Sequence, residues 1–148
     1  MNADFALLAE YAAAPPDGKL YIVGGAVRRM ASPAFPTAIP VMSLIVSLRV
    51  PPAECDQDQL LQITYLDPDG HAIIALPPVT IRAARNADSR TSPAFVNLVW
   101  SVQGLPVPGP GEYAFSVVWA GQELASVGFR AVVAQAQPQG PPQAAIPT

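Results

Sequence analysis

GEYAFSVVWAGQELASVGFRAVV, residues 111–133, is the stretch that decides the fold of this chain. The large apolar residues of its first half alternate with smaller ones and are Tyr113, Phe115, Val117 and Trp119. This is the period-two pattern of a strand with one buried face. A turn at residues 120–122, with a glycine free to take a positive φ, leads into a second strand. An isolated hairpin is marginal in water, so this one predicts a second sheet that covers its apolar face.

The composition and the turn signals also favour an all-β chain. The 148 residues suit one domain, and the 18 prolines and 10 glycines fall mostly between apolar runs. Eight candidate strands result, which predict a single antiparallel β-sandwich, immunoglobulin-like or C2-like. The predicted strands cover residues 3–13, 19–30, 41–50, 59–66, 71–81, 95–102, 111–119 and 123–133.

Some segments between and within these strands are less regular. Residues 3–13 fit a strand or a short helix, and their alternation favours the strand. Gly24-Gly25 suggests a bulge or a bend inside the second strand, and Pro77-Pro78 interrupts the fifth. Three further segments are expected to be surface loops or a rigid connection, and they are 31–40, 82–93 and 104–111.

The chain divides into a sandwich and a tail. Residues 1–134 contain all the predicted strands and form the expected β-sandwich domain. Residues 135–148 read QAQPQGPPQAAIPT and lack the bulky apolar side chains that a core needs. Their Pro/Gln/Ala-rich composition predicts a disordered tail.

Charge and cysteine content limit the compartment and the partners. The net charge is −3 with only eight Lys and Arg residues, which leaves no basic footprint for nucleic acid. The single cysteine, Cys55, excludes an intrachain disulfide framework. The first residues lack the pattern of a secretory signal, and no apolar run reaches the roughly 18 residues of a membrane helix. These features predict a cytoplasmic protein.

The two ends of the predicted sandwich resemble a known family. The opening ADFALLAEYA followed by GKLYIVGG, and the closing LPVPGPGEYAF with GFRAVV, are similar to a family of small uncharacterised bacterial proteins. The resemblance spans roughly residues 3 to 133. It implies a compact all-β bacterial protein, and it brings no activity or residue role with it.

Two pairs of aspartates are the candidate metal ligands. They are Asp56 and Asp58 in one loop, and Asp67 and Asp69 in the next turn signal. Carboxylate oxygens on neighbouring loops of a C2-like sandwich would suit calcium or a membrane surface. The alternative is that Asp67 and Asp69 shape a hairpin turn, while Asp56 and Asp58 keep a loop solvated.

Catalytic and cofactor signatures are weak. His71 is the one histidine and follows a turn, and the acidic loop around Cys55 disfavours the thiolate that a nucleophile requires. Gly24-Gly25 belongs to neither a dinucleotide-binding nor a phosphate-binding motif, so no cofactor is expected. An enzyme that uses Cys55 or His71 is the least favoured interpretation.

The favoured hypothesis is a non-enzymatic module that binds another protein or itself. Low charge content leaves few groups to cover the surface, which indicates an oligomeric or partner interface. Loops on rigid scaffolds often carry binding, so loops 31–40 and 82–93 are the expected contacts. The alternative is the C2-like binder of calcium or a membrane surface.

Overall fold

The computed structural model of the chain describes residues 1–87 and 90–135. Ten strands and a single 3₁₀ turn at Pro52–Glu54 make up the regular structure of this part of the chain. In chain order the strands are β1 Asn2–Ala13, β2 Tyr21–Gly25, β3 Arg29–Ser32, β4 Thr37–Val50, β5 Gln59–Leu66, β6 Ala72–Ala75, β7 Val79–Ile81, β8 Ala94–Val107, β9 Gly111–Trp119 and β10 Gln122–Val133. The all-β prediction is therefore confirmed, including a strand for the first segment. The tail predicted for residues 135–148 lies, apart from Gln135, outside the described residues.

The strands form two sheets that share one core. Sheet A has four strands in the order β2-β1-β4-β8, and sheet B has the order β3-β10-β9-β5-β6, with β7 also paired to β5. The quoted hairpin is β9–β10 and lies in the middle of sheet B. Its apolar face is covered by sheet A, as predicted. The most buried large side chains come from both sheets and include Leu8, Leu44, Leu48, Leu61, Ile63, Tyr65, Leu105 and Phe115.

Stacked aromatic rings form the centre of this core. The ring of Tyr65 on β5 stacks on Phe115 and Tyr113 of β9, with centroids 5.0 Å and 5.8 Å away. Phe129 of β10 stacks on Tyr113 at 5.6 Å. The Tyr65 hydroxyl donates a 3.0 Å hydrogen bond to the carbonyl oxygen of Pro106, which ties sheet B to β8 of sheet A. The buried hydroxyl of Tyr65 is therefore satisfied.

The Tyr65 hydroxyl should make the protein sensitive to alkali. Burial raises the pKa of Tyr65, and the neighbouring Tyr113 raises this pKa further. The folded state therefore holds the proton more tightly than the unfolded chain, whose tyrosine pKa is about 10. This contribution to stability is complete below about pH 10 and is lost as the pH rises towards the folded-state pKa.

Tyr65→Phe tests this alkaline dependence. The variant loses one hydrogen bond, or about 1 kcal/mol at neutral pH, because the carbonyl of Pro106 loses its donor. Its unfolding free energy should then fall less steeply than that of the wild type between about pH 8 and about pH 11. Urea unfolding at both pH values measures how much the unfolding free energy falls with pH. Tyr11→Phe removes the hydroxyl of an exposed ring and should leave this pH dependence unchanged. Equal slopes for wild type and Tyr65→Phe would contradict the expectation.

The second predicted strand, residues 19–30, is two strands in different sheets. Gly24 has φ of +63° and Ala26 has φ of +60°, which turns the chain out of sheet A after β2. β3 then enters sheet B and pairs with β10 in parallel. The prediction of one continuous strand is wrong, and so is that of purely antiparallel pairing. The expected bend does occur, at Gly24, but it is a crossover between sheets.

Two segments expected to be loops are strand in large part. Residues 37–40 begin β4 and residues 104–107 end β8, because Thr37 pairs with Val107 and Ile39 with Leu105. Residues 31–32 belong to β3, so the loop of 31–40 shrinks to its middle. Proline is tolerated at position 106 because β8 is an edge strand. The predicted strand 71–81 divides at its prolines into β6 and β7, both paired with β5.

The connection between β1 and β2 folds over the outer face of sheet A. Ala12 and Leu20 pack against Ile45 on the outer side of β4. The side-chain amide of Asn97 on β8 donates a 3.2 Å hydrogen bond to the carbonyl oxygen of Gly18. The central strand β4 is therefore buried on both faces between residues 42 and 48. Strand β8 has no such cover along its free edge among the described residues.

Candidate functional site

The two predicted aspartate pairs lie at opposite ends of one strand. Asp56 and Asp58 precede β5, while Asp67 and Asp69 follow it. Asp58 and Asp67 flank the eight residues of β5, and a strand rises about 3.3 Å per residue, so the pairs are about 30 Å apart. The expectation that these loops are neighbours is wrong, and the four carboxylates cannot share one ion.

Asp67 shapes the turn between β5 and β6. Its Oδ1 accepts hydrogen bonds from the backbone N–H groups of Asp69 at 2.9 Å and His71 at 2.8 Å. The ligand atoms of these three residues lie within 4.8 Å of one another. These contacts match the structural alternative, in which an aspartate holds a hairpin turn. Calcium binding here stays a prediction, which calorimetric titration with calcium would check.

Asp56 and Asp58 are engaged by arginines of the following loop. Asp58 Oδ1 lies 3.2 Å from the guanidinium of Arg82, and Asp56 Oδ2 lies 3.6 Å from Nε of Arg85. Asp56 Oδ1 also accepts a 3.2 Å hydrogen bond from the backbone N–H of Arg85. These pairs connect the start of β5 to loop 82–93, whose residues 88 and 89 lie outside the described residues.

Cys55 and His71 also lie at opposite ends of β5. Cys55 is 2% exposed, and its Sγ contacts the carbonyl oxygen of Pro51 at 3.5 Å. The His71 side chain is 81% exposed and lies at the other end of β5, with Nδ1 3.7 Å from Asp67. A nucleophile and its base must lie within hydrogen-bond reach. The structure does not bring these two residues together.

A cavity of about 610 Å³ opens where β1 approaches β10. Leu8, Val127 and Phe129 supply apolar walls, and Arg28 lies at the rim. A second rim group, Arg130, is paired with Glu112 at 3.0 Å. The described residues that line the cavity include no serine, threonine, cysteine or histidine. Its lining also includes the carboxylates of Asp67, which holds the turn after β5, and of Glu112, which is paired with Arg130.

Strand β8 presents the most unusual surface of the described chain. Its fourteen residues form one edge of sheet A and pair with β4 on the other side. Residues 94–103 read AFVNLVWSVQ and contain no charged residue, proline or glycine. An edge strand exposes a row of unpaired N–H and C=O groups, and natural proteins usually protect such edges with those residues or by shortness. Residues 94–103 have none of these protections.

The other sheet edges among the described residues are protected. β2 has five residues and includes Gly24 with a positive φ. β3 has four residues and begins with Arg29. On the far side of sheet B, β6 and β7 are short and are separated by Pro77-Pro78. β8 is therefore the described edge that is best suited to pair with another strand.

The core side of β8 is also incompletely buried. Its core-facing residues are only partly buried, although they pack against the common core, and they are Val96, Leu98, Trp100 and Val102. On the outer face, Phe95 is 58% exposed. Across the sandwich, Ile74 of β6 and Val79 of β7 are partly buried against the same core. Between residues 94 and 103, β8 is thus less buried than its neighbour β4 in the same sheet.

Sequence reasoning assigned β8 a strand and missed its role as an exposed edge. The absence of charge in residues 94–103 was visible in the sequence. Which strand lies at an edge depends on pairings between distant segments, so no local pattern could show it. Contacts through loops 31–40 and 82–93 stay a prediction; strands shorten the first loop, and Arg82 and Arg85 of the second pair with Asp58 and Asp56.

The fold defines the class of this chain, an all-β protein of two sheets around one core. The chain belongs to a family of unknown function, DUF6941, whose model matches residues 4–132. No curated protein sequence matches the chain. No helix in the described ranges is both long and apolar enough to cross a membrane.

Several solved structures match the chain, and one of them illustrates how distant the likeness is. It is the Pseudomonas fluorescens alkylpurine DNA glycosylase AlkC bound to DNA containing an abasic site analog. The TM-score is 0.43 at 15% identity, over 70% of this chain and 27% of that one. The chain thus spans about a quarter of the length of that protein.

Proposed function

We propose that this protein is a non-enzymatic interaction module that pairs through the free edge of β8 with an extended segment of another polypeptide. The observation that carries the proposal is the unprotected ten-residue stretch at residues 94–103. In strand addition, main-chain hydrogen bonds supply affinity and alternate side chains supply specificity. The single buried cysteine suits a reduced cytoplasmic setting for this interaction.

The side chains of β8 support the same proposal. An added strand would cover the partly buried Val96, Leu98, Trp100 and Val102 on its core side. Burial of apolar surface contributes about 25 cal/mol per Å². Covering the exposed part of these four side chains would therefore stabilise the complex with the added strand. Since β8 carries no charge, the fitting segment is apolar or neutral rather than acidic or basic.

A photo-crosslinking amino acid at position 95 tests the proposal in cells that express the full chain. Phe95 is 58% exposed beside the edge, so a strand added there should be captured, and mass spectrometry would identify the linked peptide. The matched control is position 60, because Leu60 is 62% exposed on sheet B. A crosslink at 95 that is absent at 60 is expected. Equal capture at both positions, or none at 95, would refute the proposal.

A further inference from the structure

We propose that the strand that pairs with β8 is β8 of a second copy of this chain. The two strands run antiparallel about a twofold axis at Val99 and join the two four-stranded sheets A into one continuous sheet. This inference rests on the proposed strand addition and names its partner. Homo-oligomers most often close by such a twofold, in which the same surface serves both copies.

The sequence of β8 is complementary to itself about Val99. On the core side, Leu98 faces Trp100 of the partner subunit, and Val96 faces the partner's Val102. Each of these side chains is only partly buried in the single chain, and each gains an apolar neighbour across the joint. Aromatic–aliphatic and aliphatic pairs of this kind stabilise antiparallel strands. On the other face Phe95 lies opposite Gln103 of the partner subunit, and neither side chain carries a charge.

Charge also fits a second copy. Residues 94–107 carry no charged side chain, so antiparallel pairing of β8 with itself places no like charges opposite each other. The charged residue paired with this strand on β4 is Arg49, which lies opposite Phe95. In the twofold register the two Arg49 residues are eight rows apart, or about 26 Å. That separation exceeds the Debye length of about 8 Å at physiological salt, so their repulsion is screened.

The ends of the joined sheet explain why pairing would stop at two copies. Each outer edge of the continuous sheet is β2, a strand of five residues that contains Gly24 with φ of +63°. Short edges with irregular backbone are poor templates for a further strand. The Asn97 side chain donates a hydrogen bond to Gly18 over the outer face of sheet A, and no described strand pairs with the free edge of β8. The assembly is therefore a closed dimer and not a fibre.

A charge exchange at Phe95 and Gln103 tests this arrangement, because both side chains are exposed in the single chain. One variant carries Phe95→Lys with Gln103→Lys, and the other carries Phe95→Glu with Gln103→Glu. Sedimentation should show a wild-type dimer, and a dissociation constant raised roughly tenfold or more for each variant alone. An equimolar mixture should recover the dimer, since each lysine then meets a glutamate of the other chain.

The control and the contrary outcomes separate this inference from the proposed function. Leu60→Lys with Ser126→Lys adds the same charge at exposed positions of sheet B and should leave the dimer intact. A wild-type chain that stays monomeric at about 100 μM, or a mixture that fails to recover the dimer, overturns the second copy as partner. If position 95 still crosslinks to a different protein, strand addition stands. If it crosslinks to nothing, both proposals fail.

Discussion

Replacing Gly128 by alanine is expected to lower the free energy of unfolding by about 3 kcal/mol or more. A Cβ atom on Gly128 would lie far inside van der Waals contact with the backbone oxygen of Tyr113. The obstructing atom belongs to the main chain of β9, where Gly128 pairs with Ala114, so no side-chain rotation can relieve the contact. The two central strands of sheet B would have to separate. Urea unfolding followed by circular dichroism measures the loss.

Gly109→Ala is the matched control for this substitution. A Cβ atom at Gly109 meets nothing within 4 Å, so the free energy of unfolding should change by no more than about 0.5 kcal/mol. The backbone groups of Gly109 that bond to the Tyr113 hydroxyl are kept in the variant. Wild-type stability for Gly128→Ala would mean that β9 and β10 do not approach as closely as the structure shows.

Gly128 also shows what a local pattern can and cannot predict. A glycine inside a strand indicates a bulge or a close backbone approach, and the sequence does not say which. The alternation of residues 111–133 did predict the hairpin, because a period of two depends only on the two faces of one strand. The close contact depends on how tightly β9 and β10 twist against each other.

Pairings between distant segments were the part of the fold that the sequence did not reveal. Residues 19–30 were expected to form one strand with a bulge or bend at Gly24-Gly25, yet β2 and β3 belong to different sheets. The break needs a positive φ at Ala26, a conformation that few non-glycine residues adopt. The parallel pairing of β3 with β10 joins residues about a hundred positions apart, and no local signal encodes it.

The candidate site shows the same limit. Asp58 and Asp67 are close in sequence, which suggested neighbouring loops, but the extended β5 between them holds them apart. For β8, the lack of charge was plain in the sequence. Only the strand order shows that this uncharged strand lies at the edge of a sheet. An uncharged strand inside a sheet is ordinary, whereas the same strand at an edge is a surface for pairing.

Phe115→Ala should destabilise the protein by about 3–5 kcal/mol. Phe115 is 1% exposed, and its ring stacks on Tyr65 with centroids 5.0 Å apart, at the centre of the aromatic core. Removal of the ring loses its transfer free energy and leaves a cavity between the two sheets. A domain of this size is stable by about 5–15 kcal/mol, so the variant should unfold at much lower urea or temperature. Chemical unfolding of the wild type and the variant measures the difference.

Leu60→Ala is the control, because Leu60 is apolar but 62% exposed, and its loss should change stability by about 0.5 kcal/mol or less. A Phe115→Ala effect no larger than that of Leu60→Ala would show that the aromatic stack is not the core. The pair also separates stability from association. Phe115 lies on β9, away from the edge of β8, so whatever fraction of Phe115→Ala remains folded should still dimerise. Phe95 and Gln103 variants should show the opposite behaviour, with dimerisation lost and the monomer still folded, because both side chains are exposed and lie outside the core.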